Sequence, residues 1–419
     1  MQSIIIEGGR QLNGEIDVQG SKNSALPILA ATVLLDSVSV IHNCPLLSDV
    51  DAAVAILTHL GCKVERKSHT VTVDSRGVSE YRIPDSLMRE MRSSIVFLGS
   101  VLGRTGKAVL TSPGGCEIGL RPIDLHLSSL RKLGASIDER GGEIICSMAQ
   151  KAENTVISLS FPSVGATENI ILAAAFRNGR TVILNAAREP EITDLARFLN
   201  SAGCRIEVGS EGTVIIDGIK KAHDCEHRVT GDRIVALTYL CAVACTGGAV
   251  RLNKVNTRDF LSVLPLYETA GCRVKSDSHT VFLSMKRRPK ALRDIRTMPY
   301  PGFPTDAQAP FMSLAAISEG TSVIVENIFE SRFKHVSELT RMGAKIKIEG
   351  RVALIDGVRS LHGACVTSSD LRGGAALVVA ALAAEGRSEI NCPRHIDRGY
   401  EKIEDCLKMI GADIYRETR

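Results

Sequence analysis

The chain has 419 residues, 44% apolar and 23% charged, the composition of a globular protein with more than one buried core, and its length predicts two domains. A formal charge of only +4 and an aromatic content of 4% argue against a nucleic-acid coat, which needs a basic surface and stacking platforms, and against an acidic-membrane binder. No window offers the roughly 18 continuous apolar residues of a membrane-spanning helix, and MQSIIIEGGR lacks the basic and long apolar stretches of a secretory signal. A cytoplasmic protein with no nucleic-acid and no membrane partner is expected.

Taken in chain order, SIIIEGG reads as an opening strand without a repeat of its own, expected to complete a sheet of the C-terminal domain. Then a pattern recurs six times. An Ala- and Leu-rich helix comes first: SALPILAATVL, SSIVFLGSVL, TENIILAAAF, RIVALTYLCAVA, QAPFMSLAAI and GGAALVVAALAA. Each is apolar nearly all round and is therefore predicted to be buried. Gly106, Gly179, Gly248, Gly320 and Gly386 are expected to stop these helices in left-handed conformation. A short β run follows, such as TVILN or SVIVEN, then an amphipathic helix closing on Gly61, Gly134, Gly203, Gly271, Gly343 or Gly411, and a final strand or hairpin. The closing glycines are 68 to 73 residues apart, a period that marks a repeat architecture.

Six such units exceed what one doubly wound sheet accommodates. Three units per domain, with helices bundled inside and sheets outside, use the period better. The expected domains are residues 22–229 and a discontinuous 1–21 with 230–419, with the active site in the cleft between them. Twelve cysteines are expected as reduced thiols, and no zinc-like spacing occurs, so neither metal nor cofactor is anticipated. Cys62, Cys204 and Cys272 follow repeat glycines where Ala135, Ala344 and Ala412 stand elsewhere, and read as small core fillers.

Residues that break the repeat carry the functional signal. At the starts of the buried helices stand Lys22 and Asn23, Arg92, Ser163, Asp232 and Arg233, Asp306, and Asp370 with Arg372. Aspartates there can be ordinary helix caps. Cations there oppose the helix dipole, so Lys22, Arg92 and Arg372 are expected to be compensated by a bound anion. Arg121, Arg332 and Arg398 precede the second helices, and the six together could clamp phosphate or carboxylate. The loop SPGGCEIGLRPIDLH sets Cys116 among glycines near Arg121, where a thiol is accessible and its thiolate favoured; an ordinary surface cysteine is the alternative.

The segments QGSKNSALPILAA, PGGCEIGLRPIDLH, PSVGATEN, NAAREPEI, YPGFPTDAQAP, ENIFESRFKHVSELTRMGA, SDLRGGAALVVAALAAEG and HIDRGYEKIEDCLKMIGA run in order from residue 19 to 412. Together they resemble the UDP-N-acetylglucosamine 1-carboxyvinyltransferases, a family of enolpyruvyl transferases. The resemblance implies a two-domain inside-out α/β barrel and transfer of enolpyruvyl from phosphoenolpyruvate to the sugar 3-hydroxyl of UDP-N-acetylglucosamine. That reaction opens peptidoglycan precursor synthesis. It further implies that Lys22, Asn23, Arg121, Arg332, Arg372 and Arg398 hold phosphoenolpyruvate. Arg92, Arg121, Pro122, Ile123, Asp124, Leu125, Ser163, Val164, Gly165, Asp306 and Ile328 would meet the nucleotide sugar. Cys116 would be the general acid, able to carry a cysteinyl adduct and to be alkylated by fosfomycin. Asp306 would act as base or orienter, with Lys22, Asp370 and Arg398 in the catalytic set.

The sequence departs from the family at GDRIVALT, where Gly231, Val235, Ala236 and Leu237 are unusual, at Phe161 in place of a frequent Lys, and at Arg394 in place of a frequent aromatic residue. Two alternatives stay open: a regulatory paralog that binds the nucleotide sugar without turnover, and a shikimate-type enolpyruvyl transferase.

Overall fold

The computed structural model describes residues 2–112, 123–149 and 154–418. The described residues from Gly20 to Thr230 form one compact unit, and those before Gly20 and after Thr230 form the other. Each has its own apolar core. The first is built on helices α1 (Lys22–Thr32), α2 (Phe97–Thr105) and α3 (Val164–Ala174). The second is built on α4 (Arg233–Thr246), α5 (Gln308–Ile317) and α6 (Leu371–Ala383).

These six are the apolar helices of the repeat, and a helix without a polar face has to be enclosed. In α4 every residue from Arg233 to Ala244 is buried, and in α5 every residue is. Helices α4, α5 and α6 pack against one another, while α2 packs against both α1 and α3. At the α2–α3 crossing the Gly99 amide donates to Asn169 Oδ1 at 2.6 Å. A Cβ on Gly99 would lie 2.5 Å from the Asn169 carbonyl oxygen, so the helices meet this closely because that position has no side chain.

Among the described residues, three sheets accompany each helix trio. In the second unit the strands Cys365–Thr367, Arg387–Asn391, Gln2–Glu7 and Asp413–Thr418 lie side by side in that order. The opening strand pairs antiparallel with both neighbours, Ile4 facing Ile390 on one side and Arg416 on the other. It thus completes the last repeat, as its sequence suggested. The next strand, Leu12–Asp17, runs parallel to Gly248–Asn253 and completes the sheet of the fourth repeat. In the first unit the terminal strand Cys225–Arg228 returns to pair parallel with Val38–His42. The sheet of Lys107–Thr111, Glu143–Met148 and Ala135–Arg140 has three strands, and the single parallel bridge Arg82 to Val109 stands where its fourth would be.

The closing glycines share one geometry: φ is 103°, 100°, 99°, 98°, 96° and 102° for Gly61, Gly134, Gly203, Gly271, Gly343 and Gly411. The amide after Gly61 reaches back to the Leu57 carbonyl at 3.0 Å, and Cys204, Cys272, Ala344 and Ala412 bond in the same way to Leu199, Tyr267, Leu339 and Leu407. This is the bond pattern of a glycine-terminated helix. The residue after the glycine turns into the core, which explains its small size at all six places. Burial pushes the Cys62, Cys204 and Cys272 thiols up to about 12.

The glycines after the inner helices behave less uniformly than expected. Gly106 caps α2 directly, at φ 72°. The cap of α4 is Gly247, with Gly248 already the first residue of a strand. Helices α3, α5 and α6 end on Ala175, Ser318 and Ala384, so Gly179, Gly320 and Gly386 lie further on, at the entry to the strands.

Candidate functional site

In the first unit, Ser21 caps α1 and accepts from the Ser24 amide, which sets Lys22 as the first helical residue. Its side chain is buried and its Nζ lies 3.0 Å from Asp49 Oδ2, itself buried. The expected anion at this helix start is therefore supplied in part by the protein. Asn23 beside it is half-buried. Arg92 opens a 3-10 turn, Arg92–Val96, that leads into α2.

Ser163 caps α3, its Oγ accepting from the Ala166 amide at 3.3 Å, so Val164 and Gly165 begin the helix. Gly165 lies against the imidazole of His126, where a Cβ would approach Cε1 to 2.7 Å. His126 Nδ1 lies 2.8 Å from Asn169 Nδ2 and accepts from it, which places the ring proton on Nε2. Burial first, then the nearby Arg92 charge, brings the His126 pKa down to about 4, so the ring is neutral. His126 belongs to the helix Asp124–Lys132, with Ile123 as its cap, Asp124 exposed and Leu125 half-buried. Burial first, then Glu191 and Glu189, raises the pKa of Glu168 on α3 well above the usual carboxylate value. Cys116, Arg121 and Pro122 lie outside the described residues.

The second unit separates the three aspartates. Asp232 and Asp370 are helix caps: Asp232 Oδ1 accepts from the Ile234 and Val235 amides at 2.9 and 3.0 Å, and Asp370 Oδ1 from Arg372 and Gly373 at 3.1 and 3.0 Å. Asp306 caps nothing. It sits in the 3-10 turn Thr305–Ala307, where its Oδ1 accepts from Arg332 Nη2 at 2.6 Å and its Oδ2 from Arg372 Nη2 at 3.0 Å. The Arg332 and Arg372 side chains are 4% and 2% exposed, and that of Asp306 28%.

Two buried guanidiniums thus grip one partly open carboxylate. Arg332 Nε and Arg372 Nη1 are left without hydrogen-bond partners, an arrangement costly unless an anion is supplied. Arg372 also lies over the Tyr400 ring, 5.4 Å from its centroid, and the Tyr400 hydroxyl is 2.8 Å from Thr238 Oγ1. Burial works against the Arg372 charge, but Tyr400 and Asp306 outweigh it and hold its pKa up. His335, enclosed beside Asp370 and Arg332, is brought down to about 4, chiefly by burial. Ile328 is half-buried, its amide donating to Glu326 Oε1 at 2.8 Å. Arg398 is half-buried in the segment that ends on the buried Tyr400.

A family model described as EPSP synthase (3-phosphoshikimate 1-carboxyvinyltransferase) matches residues 6–407. The chain belongs to the EPSP synthase family of enolpyruvyl transferases. Within that family it is 52% identical over 411 residues to UDP-N-acetylglucosamine 1-carboxyvinyltransferase 2 of Caldanaerobacter subterraneus subsp. tengcongensis, with 98% of each chain covered. It is 47% identical to UDP-N-acetylglucosamine 1-carboxyvinyltransferase 1 of Symbiobacterium thermophilum, covering 98% of this chain and 94% of the relative. The fold matches the enolpyruvyl transferase NikO from Streptomyces tendae with a TM-score of 0.90 at 23% identity, over 100% of this chain and 99% of that one. It matches EPSP synthase from Acinetobacter baumannii with a TM-score of 0.77 at 18% identity, over 100% of both. The two-domain α/β architecture of this enolpyruvyl transferase is therefore that of its family.

The family departures at GDRIVALT cause no visible damage: Ile234, Val235, Ala236 and Leu237 are all buried in α4 behind an intact Asp232 cap. Phe161 and Arg394 are exposed. Sequence reasoning did not single out Asp49, Glu326, Tyr400 or His126 with Asn169. Glu326 and Tyr400 lay inside recognised segments without a role, and nothing in the spacing of Asp49 pointed to Lys22. No helix among the described residues is long and apolar enough to cross a membrane.

Proposed function

We propose that the chain transfers the enolpyruvyl group of phosphoenolpyruvate to the 3-hydroxyl of UDP-N-acetylglucosamine with release of phosphate, in the cytoplasm, as the first committed step of peptidoglycan precursor synthesis. The observation that carries this reading is the identity of 44 to 52% over 98% or more of the chain with relatives bearing that activity in their names. The shikimate-type alternative rests only on the family's general description and on structural likenesses at 18% identity. The regulatory alternative rested on GDRIVALT, which packs as ordinary core.

In this reading the sugar hydroxyl attacks the central carbon of the enol phosphate and loses its proton while the methylene carbon takes one, and the tetrahedral intermediate then loses phosphate together with a proton of the new methyl group, which restores the enol double bond. Lys22, Arg121, Arg332, Arg372 and Arg398 supply the positive charge that the phosphate and carboxylate need, and Asn23 adds a neutral hydrogen-bond donor. Asp306 Oδ1 accepts one guanidinium N–H, from Arg332, and Oδ2 accepts two, from Arg372 Nε and Nη2. The Asp306 side chain remains 28% exposed, which suits it to orienting the sugar hydroxyl and receiving its proton. Cys116 is assigned as the acid for the methylene carbon. Asp370 acts by fixing the start of α6 and so the direction of Arg372.

Arg92, Arg121–Leu125, Ser163, Val164, Gly165 and Ile328 are assigned to the nucleotide sugar. In support, the neutral His126 ring presents its Nε2 proton beside Gly165 and the start of α3, where an anionic group gains from free amides. The test is phosphate release from phosphoenolpyruvate. It is expected with UDP-N-acetylglucosamine and not with shikimate 3-phosphate; release with the latter alone, or with neither, would reject the reading.

A further inference from the structure

Glu326 is 1% exposed, and its carboxylate accepts four hydrogen bonds from three separate segments. Oε1 takes the Thr297 hydroxyl at 2.9 Å and the Ile328 and Phe329 amides at 2.8 and 3.1 Å. Oε2 takes the Thr305 hydroxyl at 2.9 Å. Thr305 opens the turn that carries Asp306, and Phe329 lies under Arg332, 5.6 Å from its guanidinium carbon. Arg332 in turn reaches both the Thr305 carbonyl, at 3.4 Å, and Asp306. Thr297 completes the frame: its hydroxyl accepts from the Asn327 amide at 2.8 Å and its carbonyl from Asn327 Nδ2 at 3.1 Å.

A buried carboxylate without donors is expensive, so a side chain so fully bonded locks the segments that bond it. We propose that Glu326 is a positioning residue that fixes the Asp306 turn and the Ile328–Arg332 segment relative to each other, and so sets where the sugar hydroxyl meets its carboxylate. The inference rests on the function proposed above, because it needs Asp306 and Ile328 to act on the same substrate. Glu326 itself touches no reacting atom in this picture. Its shape and its acceptors matter, and its capacity to exchange a proton does not.

That distinction makes the role testable. Glu326→Gln keeps an oxygen for Thr297 and the two amides and can donate from its NH2 to the Thr305 hydroxyl. It should retain kcat/KM for the nucleotide sugar within about fivefold of wild type, with an unchanged pH profile, because only the charge assistance is lost. Glu326→Ala loses all four bonds. Thr305→Val, nearly isosteric, releases only the Asp306 turn and should lower kcat/KM by roughly ten- to a hundredfold, as a displaced reacting group does, while melting within a few degrees of wild type.

Hydrogen exchange needs no substrate: the Ile328 and Phe329 amides should stay protected in wild type and Glu326→Gln and exchange freely in Glu326→Ala. Wild-type kinetics in Thr305→Val, a Gln variant as inactive as the Ala variant, or undisturbed amides in Glu326→Ala would each overturn the proposal. A wild-type protein that releases no phosphate would instead reject the functional reading, and the exchange result would still decide whether Glu326 holds the two segments.

Discussion

Lys22 was expected to be compensated by a bound anion, and its burial against Asp49 changes what its removal would do. Lys22→Ala breaks a buried ion pair by removing one partner, which costs roughly 3–5 kcal/mol, so loss of turnover in that variant would mix folding with chemistry. Arg398 is half-buried and separates the two: Arg398→Ala should melt near wild type while phosphate release falls by two or more orders of magnitude. Near-normal release would sink the anion clamp. Thiol chemistry needs a similar revision. Cys365 is exposed, so Cys116 is not expected to be the sole accessible thiol. At pH 8, peptide mapping after brief alkylation should find label at Cys116 and Cys365 and none at Cys62, Cys204 or Cys272, whose thiols are held at about 12. Fosfomycin, which needs the phosphate-binding charges as well as a thiol, should mark Cys116 alone; a fosfomycin adduct at Cys365 would reject that assignment.

The element that repeats most faithfully is the glycine-closed helix end, and its six copies differ in what surrounds them. At Gly271 the nearest atom to an added Cβ is the Met285 methyl at 3.9 Å, whereas at Gly61 it is the Gly77 carbonyl oxygen at 2.4 Å. Both glycines have φ near 100°, so both Ala variants pay about 1 kcal/mol of backbone strain. Gly61→Ala must also displace backbone and should lose at least about 1–2 kcal/mol more. Equal urea midpoints for the two variants would show that the Gly77 segment yields freely. The sequence pattern revealed all six glycines but could not rank them, because the ranking depends on a chain segment that approaches from elsewhere.

At the scale of the whole molecule, the buried titratable groups predict how stability varies with pH. His126 and His335 have folded pKa values of about 4 against 6.5 for the free side chain. Between those values the unfolded chain binds more protons, so each costs stability as pH falls from 6.5 to 4, on the order of 3 kcal/mol in full. Glu168 acts in the opposite sense: its folded pKa lies well above 4.5, so the stability it contributes is present at low pH and is lost as pH rises above 4.5. Removing it with Glu168→Gln should expose a steep decline in unfolding free energy from pH 6.5 toward 4, measured by urea titration; a flat profile would mean that the two imidazoles open to solvent in the folded state. The repeat, the buried character of the inner helices and the fate of the opening strand were legible in the sequence, because hydrophobic period and glycine placement act over a few residues. So were the charged residues that interrupt the repeat. What the sequence left open was which of three similar aspartates would cap a helix and which would grip two arginines. It also did not reveal Asp49 beneath Lys22, or Glu326 behind the Asp306 turn. Those pairings join residues 21 or more positions apart, and burial gives such contacts their strength; the packed tertiary structure alone decides which distant charges share a desolvated space.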